Sequence, residues 1–184
     1  MARKRLVLLG LTAVALALVA AGVAAARGRG PTVQSAAATF TATTVSQRYQ
    51  ATCSVNGGDT FEATRATYTG AAVSSDPRLA GVLTIRAWSL IDTASGVGHL
   101  YGTFHIDGAA TGAHGTLNAA LSGGKASGLA RGFVRGRYGR LVASLGSSFD
   151  PNAGFSDGSL GGSTAGAGFI RSGRWCHPPH WPSS

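Results

Sequence analysis

The sequence predicts an all-β protein: an antiparallel β-barrel, closed or nearly closed, behind an N-terminal hydrophobic segment. Three observations predict it. From Thr39 onward, short runs of Thr, Val, Phe, Tyr and Ile alternate with clusters of Gly, Asn, Asp and Ser. They recur roughly every ten to twelve residues, the spacing of strands joined by tight turns. Beyond residue 30 no apolar stripe persists at helical spacing, and 28 glycines oppose helix throughout. Nine or ten strands must then close or fold over to protect their edges. A two-layer β-sandwich also satisfies this condition. Short turns and interior glycines such as Gly102 and Gly132 favour the barrel, because they ease the bending that closure demands.

The elements follow in order. Arg3, Lys4 and Arg5 form a basic start, an uncharged Leu, Val and Ala run follows from Leu6, and Ala24 and Ala26 present a small-x-small site. That three-part pattern is a signal peptide over 1–26, cleaved after Ala26. The alternative is an uncleaved anchor, since about 20 apolar residues suffice to span a bilayer. Both place the remainder outside the cytoplasm. Residues 27–38 read as a flexible linker, because Arg27, Gly28, Arg29, Gly30, Pro31 and the following alanines offer little to bury.

The barrel domain is expected over 39–175, with strands at Thr39–Ser46, Tyr49–Val55 and Asp59–Thr69, the last two joined by an Asn56-Gly57 hairpin turn. Gly81–Ile91 carries apolar residues on both faces and reads as a central, covered strand. His99–Ile106 alternates cleanly, with Leu100, Gly102, Phe104 and Ile106 opposite His99, Tyr101, Thr103 and His105. Further strands are expected at His114–Leu121, Gly128–Arg135, Arg140–Phe149, Phe155–Leu160 and Ala165–Arg171, before a Pro-rich tail over 176–184.

The formal net charge is +9, and loss of the leader would leave thirteen Lys and Arg against seven acids. Such a surface favours anionic partners without naming one. Cys53 and Cys176 are the only cysteines, and an even count in an exported chain reads as a disulfide. In the chain-entropy model, closing so long a loop contributes about 4–5 kcal/mol.

Between Gly58 and Phe104, the strings Asp59-Thr60-Phe61, Thr67-Tyr68-Thr69-Gly70, Ser75-Asp76-Pro77-Arg78-Leu79, Leu83-Thr84-Ile85-Arg86 and Gly102-Thr103-Phe104 carry a likeness. The chain resembles secreted actinobacterial β-barrel proteins with no assigned activity. The resemblance extends loosely to about Ile170. It implies a barrel and supplies no catalytic residues.

Several constellations could carry chemistry. If the His99, Tyr101, Thr103 and His105 face lined a barrel interior, imidazoles and a phenol would share a cavity suited to general acid-base work. Pointing outward, the same residues only decorate a solvated strand. Arg131, Arg135, Arg137 and Arg140, interleaved with Phe133 and Tyr138, could grip an anion, or their stems could cover apolar rings. His177 and His180 lie on one side of a polyproline segment and could supply two metal ligands, short of the four a structural zinc needs. Gly154-Phe155-Ser156-Asp157-Gly158 matches G-x-S-x-G but is followed by glycines rather than a helix.

Walker, Rossmann and HExxH patterns are absent, which removes nucleotide-dependent and zincin readings, and no cofactor is expected. The leading expectation is an extracellular or envelope barrel that binds an anionic envelope component or a small apolar ligand. Nucleic acid is a weaker partner, and membrane contact is expected only through the N-terminal segment. The alternatives are a small barrel enzyme of isomerase or cyclase type using His99, Tyr101 and His105, and a tethered structural surface protein.

Overall fold

The computed structural model describes residues 33–55, 58–108, 112–134 and 139–165. The leader, Arg135, Arg137, Cys176, His177 and His180 therefore lie outside the described residues. Eight strands run β1 (Val33–Ser54), β2 (Thr60–Val73), β3 (Gly81–Asp92), β4 (Gly98–Asp107), β5 (Gly112–Ser122), β6 (Lys125–Val134), β7 (Gly139–Asp150) and β8 (Gly154–Ala165). Each pairs antiparallel with the next, and β8 returns to pair with β1, closing an up-and-down barrel. No helix occurs among the described residues.

The strand count differs from expectation at both ends of the chain, for one reason. Thr39–Ser46 and Tyr49–Val55 are a single long strand, β1, interrupted by register shifts at Thr41/Thr44 and Ser46/Tyr49. Gln47 takes φ 51° at the second shift, an extra residue that bends the strand and re-aims its side chains. β1 also begins at Val33, so the second half of the expected linker is strand. Its alanines are core: Ala36 is 3% and Ala38 6% exposed. Across the seam, Gly162 and Leu160 of β8 pair with these two alanines. Gly161 to Thr164, which separate the expected strands Phe155–Leu160 and Ala165–Arg171, thus continue β8. Small residues suit the narrow interior of an eight-stranded barrel, and that width cannot be seen in a hydropathy pattern.

The interior is filled. Phe40, Leu83, Ile85, Phe104, Ile106 and Leu145 surround a residual gap of about 20 Å³ with no polar lining, roughly the room of one water. Phe40 lies across Gly158, where an added Cβ would come within 2.4 Å of the ring. Under the β7–β8 turn, Tyr68, Phe149 and Phe155 pack edge to face and tilted, with Tyr68 and Phe155 centroids 5.2 Å apart. The Tyr68 hydroxyl donates to the Pro151 carbonyl at 3.1 Å.

The β2–β3 loop carries Leu79, 1% exposed, into the core. Asp76 and Arg78 hold that loop, with Arg78 Nε donating to Asp76 Oδ1 at 2.8 Å. Arg78 also donates to Gln34 on β1 and Thr164 on β8, so it bridges the seam where the barrel closes. Its guanidinium holds the Asp76 carboxyl below the usual range, chiefly through the side-chain hydrogen bond. The tightest hairpin is β5–β6, where Ser122 pairs with Lys125 around Gly123 and Gly124 at φ 56° and 72°. Positive φ at both central residues is what a two-residue turn requires here.

Candidate functional site: the outer wall

Inward and outward residues alternate along β3 to β7, which decides where the candidate side chains on those strands go. Leu100, Phe104 and Ile106 of β4 are buried. His99, Tyr101 and Thr103 are exposed on the other face, and His105 is half-buried there. Of the two orientations the sequence left open, β4 takes the outward one, and the alternative of an interior cavity lined by His99, Tyr101 and His105 is not formed. The lumen holds no imidazole among the described residues, because β4 turns its apolar set inward. His99 and His105 also stand six residues apart on one strand, about 20 Å at 3.3–3.4 Å per residue, too far to share one reacting atom.

β3 needs a matching correction. Its second apolar face is not covered: Val82 is 59% and Trp88 41% exposed. In an up-and-down barrel no strand has a layer behind it, so a doubly apolar strand shows one face to the outside.

Strand register assembles these outward residues into rows. One row runs Tyr49, Arg65, Trp88, Tyr101, Asn118, Leu129 across β1 to β6. The next runs Thr67, Arg86, Thr103, Thr116, Arg131, Val142 across β2 to β7. A third runs His105, His114, Phe133, Arg140. In it His105 Nε2 donates to Asp107 Oδ1 at 2.8 Å, and the His105 and His114 rings lie 6.4 Å apart. Of the four arginines singled out from sequence, Arg131 and Arg140 are on this wall. Arg65 and Arg86 join them, and sequence reading missed both, because only cross-strand register brings them beside Trp88 and Tyr101.

Two open depressions lie along the rows and meet at Tyr101. One, of about 730 Å³, is lined by Tyr49, Arg65, Arg86, Trp88, Tyr101 and Thr103 among others. The second, of about 420 Å³, includes Tyr101, Asn118, Leu129 and Arg131. No Asp or Glu lines either one. The acids sit mainly at strand ends and in turns: Asp59, Asp76, Asp92, Asp107 and Asp150. Asp92 is spent in its own turn, accepting from the amides of Ala94 and Ser95, which hold its carboxyl below the usual range. Arg65, Arg86 and Arg131 have no carboxylate partner within ion-pair distance among the described residues. The wall is thus cationic and aromatic in its middle and acidic at its rims.

The other motifs gain no partners. Ser156 lies in β8, paired with Ser148, and Asp157 after it takes φ 51° at a bulge rather than opening a helix. Its carbonyl accepts from Ser147 Oγ at 2.8 Å, and no histidine bonds its hydroxyl among the described residues. No cluster of three or more metal-ligating side chains occurs among the described residues. Cys53 is exposed near the far end of β1.

The fold and wall together define a closed eight-stranded barrel with a solid core and a chemically distinct outer face. No protein-family model, curated protein or solved structure matches the chain.

Proposed function

We propose that this is an exported, non-catalytic binding barrel that meets its ligand on its outer wall, and that the ligand is an anionic component of the cell envelope. One observation carries the reading. Guanidinium groups with no carboxylate partner among the described residues stand mid-wall beside exposed aromatic rings, and no carboxylate lines either depression. An exposed arginine without a carboxylate partner keeps its full charge available to an incoming anion, and the clustering raises the local potential. A filled apolar lumen supports the same choice over the small apolar ligand, for which the interior has no space.

The test is co-sedimentation of the secreted protein with anionic and zwitterionic envelope material across a salt series. The expected result is retention on the anionic material that fades as salt rises, because exposed charges are screened within about 8 Å at physiological ionic strength. Reversing Arg65, Arg86 and Arg131 to Glu should lower the affinity by roughly tenfold or more at low salt. Equal retention on both materials, or retention untouched by the three reversals, overturns the proposal.

A further inference from the structure

The larger depression has a character that net charge alone does not call for. Arg65 lies directly across from Trp88, and Trp88 directly across from Tyr101. Directly opposed residues place their Cβ atoms about 4.5–5.5 Å apart, so this is one continuous strip of guanidinium, indole and phenol. Tyr49 continues the strip across from Arg65 and is 72% exposed. The β1 bulge helps set the register there, with the Gln47 side-chain oxygen accepting from Thr67 Oγ1 at 3.2 Å. The neighbouring row adds Arg86 flanked by Thr67 and Thr103. Exposed aromatic faces, neutral hydroxyl groups and, among the described residues, two cations therefore share one open floor.

From this geometry we infer that the depression binds an acidic glycan, its sugar rings stacking on Trp88 and Tyr101 and its anionic groups meeting Arg65 and Arg86. The inference rests on the outer-wall reading above and deepens it. Large rings with a polar edge give contact area at low conformational cost and suit a ligand with one apolar face and a hydroxylated rim. The threonines offer donors and acceptors for those hydroxyls. The smaller depression shares Tyr101 and continues through Asn118, Leu129 and Arg131, so an oligomer rather than a single sugar fits the wall. A nucleic-acid groove differs: it tracks a closely spaced phosphate backbone with a correspondingly dense line of cations. Here the cations are separated by Thr, Trp and Tyr.

The experiment is calorimetric titration of the whole protein with four probes: oligogalacturonate, a neutral dextran oligomer, inorganic polyphosphate and a single-stranded oligonucleotide. Oligogalacturonate is expected to bind, and the other three to bind at least tenfold more weakly. Trp88→Ala and the double variant Arg65→Gln, Arg86→Gln should each weaken oligogalacturonate about tenfold, with Trp88→Phe restoring most of the loss. All these side chains are on the outer face, so circular dichroism and the thermal midpoint should be unchanged in the variants. Polyphosphate or oligonucleotide binding as tightly as oligogalacturonate would leave an anion-binding wall but overturn the glycan. Oligogalacturonate affinity unchanged in Trp88→Ala would do the same. Absence of binding by every anionic probe would overturn both readings.

Discussion

Tyr68 shows how one residue serves the core and a turn together. Its ring fills the barrel beneath Phe149 and Phe155, and its hydroxyl reaches the Pro151 carbonyl. Burial, and then the charge of Asp150, push its phenol up to about 12 from an ordinary 10, against a smaller opposing effect of Arg48. The folded state therefore keeps a proton that the unfolded state gives up above pH 10. The stability this contributes is complete below pH 10 and is lost as pH rises toward 12. An absorbance titration should show a phenol still protonated above pH 10 that is lost in Tyr68→Phe, and the same substitution should flatten the alkaline loss of stability between those pH values. An absorbance titration unchanged by Tyr68→Phe above pH 10 would contradict the burial argument. Trp88 and Tyr101 illustrate the other residue-scale point: their types were plain in the sequence, but their adjacency to Arg65 is a matter of pairing alone.

Among the elements, the β2–β3 loop does the most for closure. Leu79 enters the core, while Asp76 and Arg78 pin the loop across β1 and β8. Asp76 and Arg78 are partly exposed, so the pair is worth about 1 kcal/mol rather than several. Because the folded carboxyl sits below its ordinary range, the unfolded chain takes up protons first as pH falls. The contribution of Asp76 is thus present at neutral pH and disappears as pH drops through the folded value. Urea denaturation should find Asp76→Asn less stable than the parent at pH 7, with the gap closing only as pH falls below the ordinary carboxylate range. A gap that persists in acid would mean the loop is held by something else.

At the scale of the whole molecule, the closed barrel sets a demanding condition on the proposed cystine between Cys53 and Cys176. Val33 pairs with Ala165, and Cys53 lies twenty residues farther along β1. That is roughly 66 Å along the strand, or about 50 Å along the barrel axis at a tilt of about 40°. The eleven residues from Ala165 to Cys176 reach at most about 40 Å. That span exceeds the reach even with the roughly 6 Å a cystine adds between Cα atoms, so an intrachain bond requires the far end of β1 to fold back, whereas a bond between two copies does not. Non-reducing peptide mapping of the protein decides it: on these lengths a linked Cys53–Cys176 peptide should be missing from the monomeric band, and its presence there would mean that β1 bends back beyond its bulges.

The local pattern of the chain was enough for the class of fold and its antiparallel sense. Alternation in β4 and the Gly123-Gly124 turn are properties of neighbouring residues, and short-range sterics and hydropathy express them directly. Strand number, the burial of Ala36 and Ala38, and the outward direction of His99, Tyr101 and His105 required the closed barrel. So did the strip of Arg65, Trp88 and Tyr101. Their partners lie on other strands, and only closure decides which of two faces is inside and how narrow that inside is.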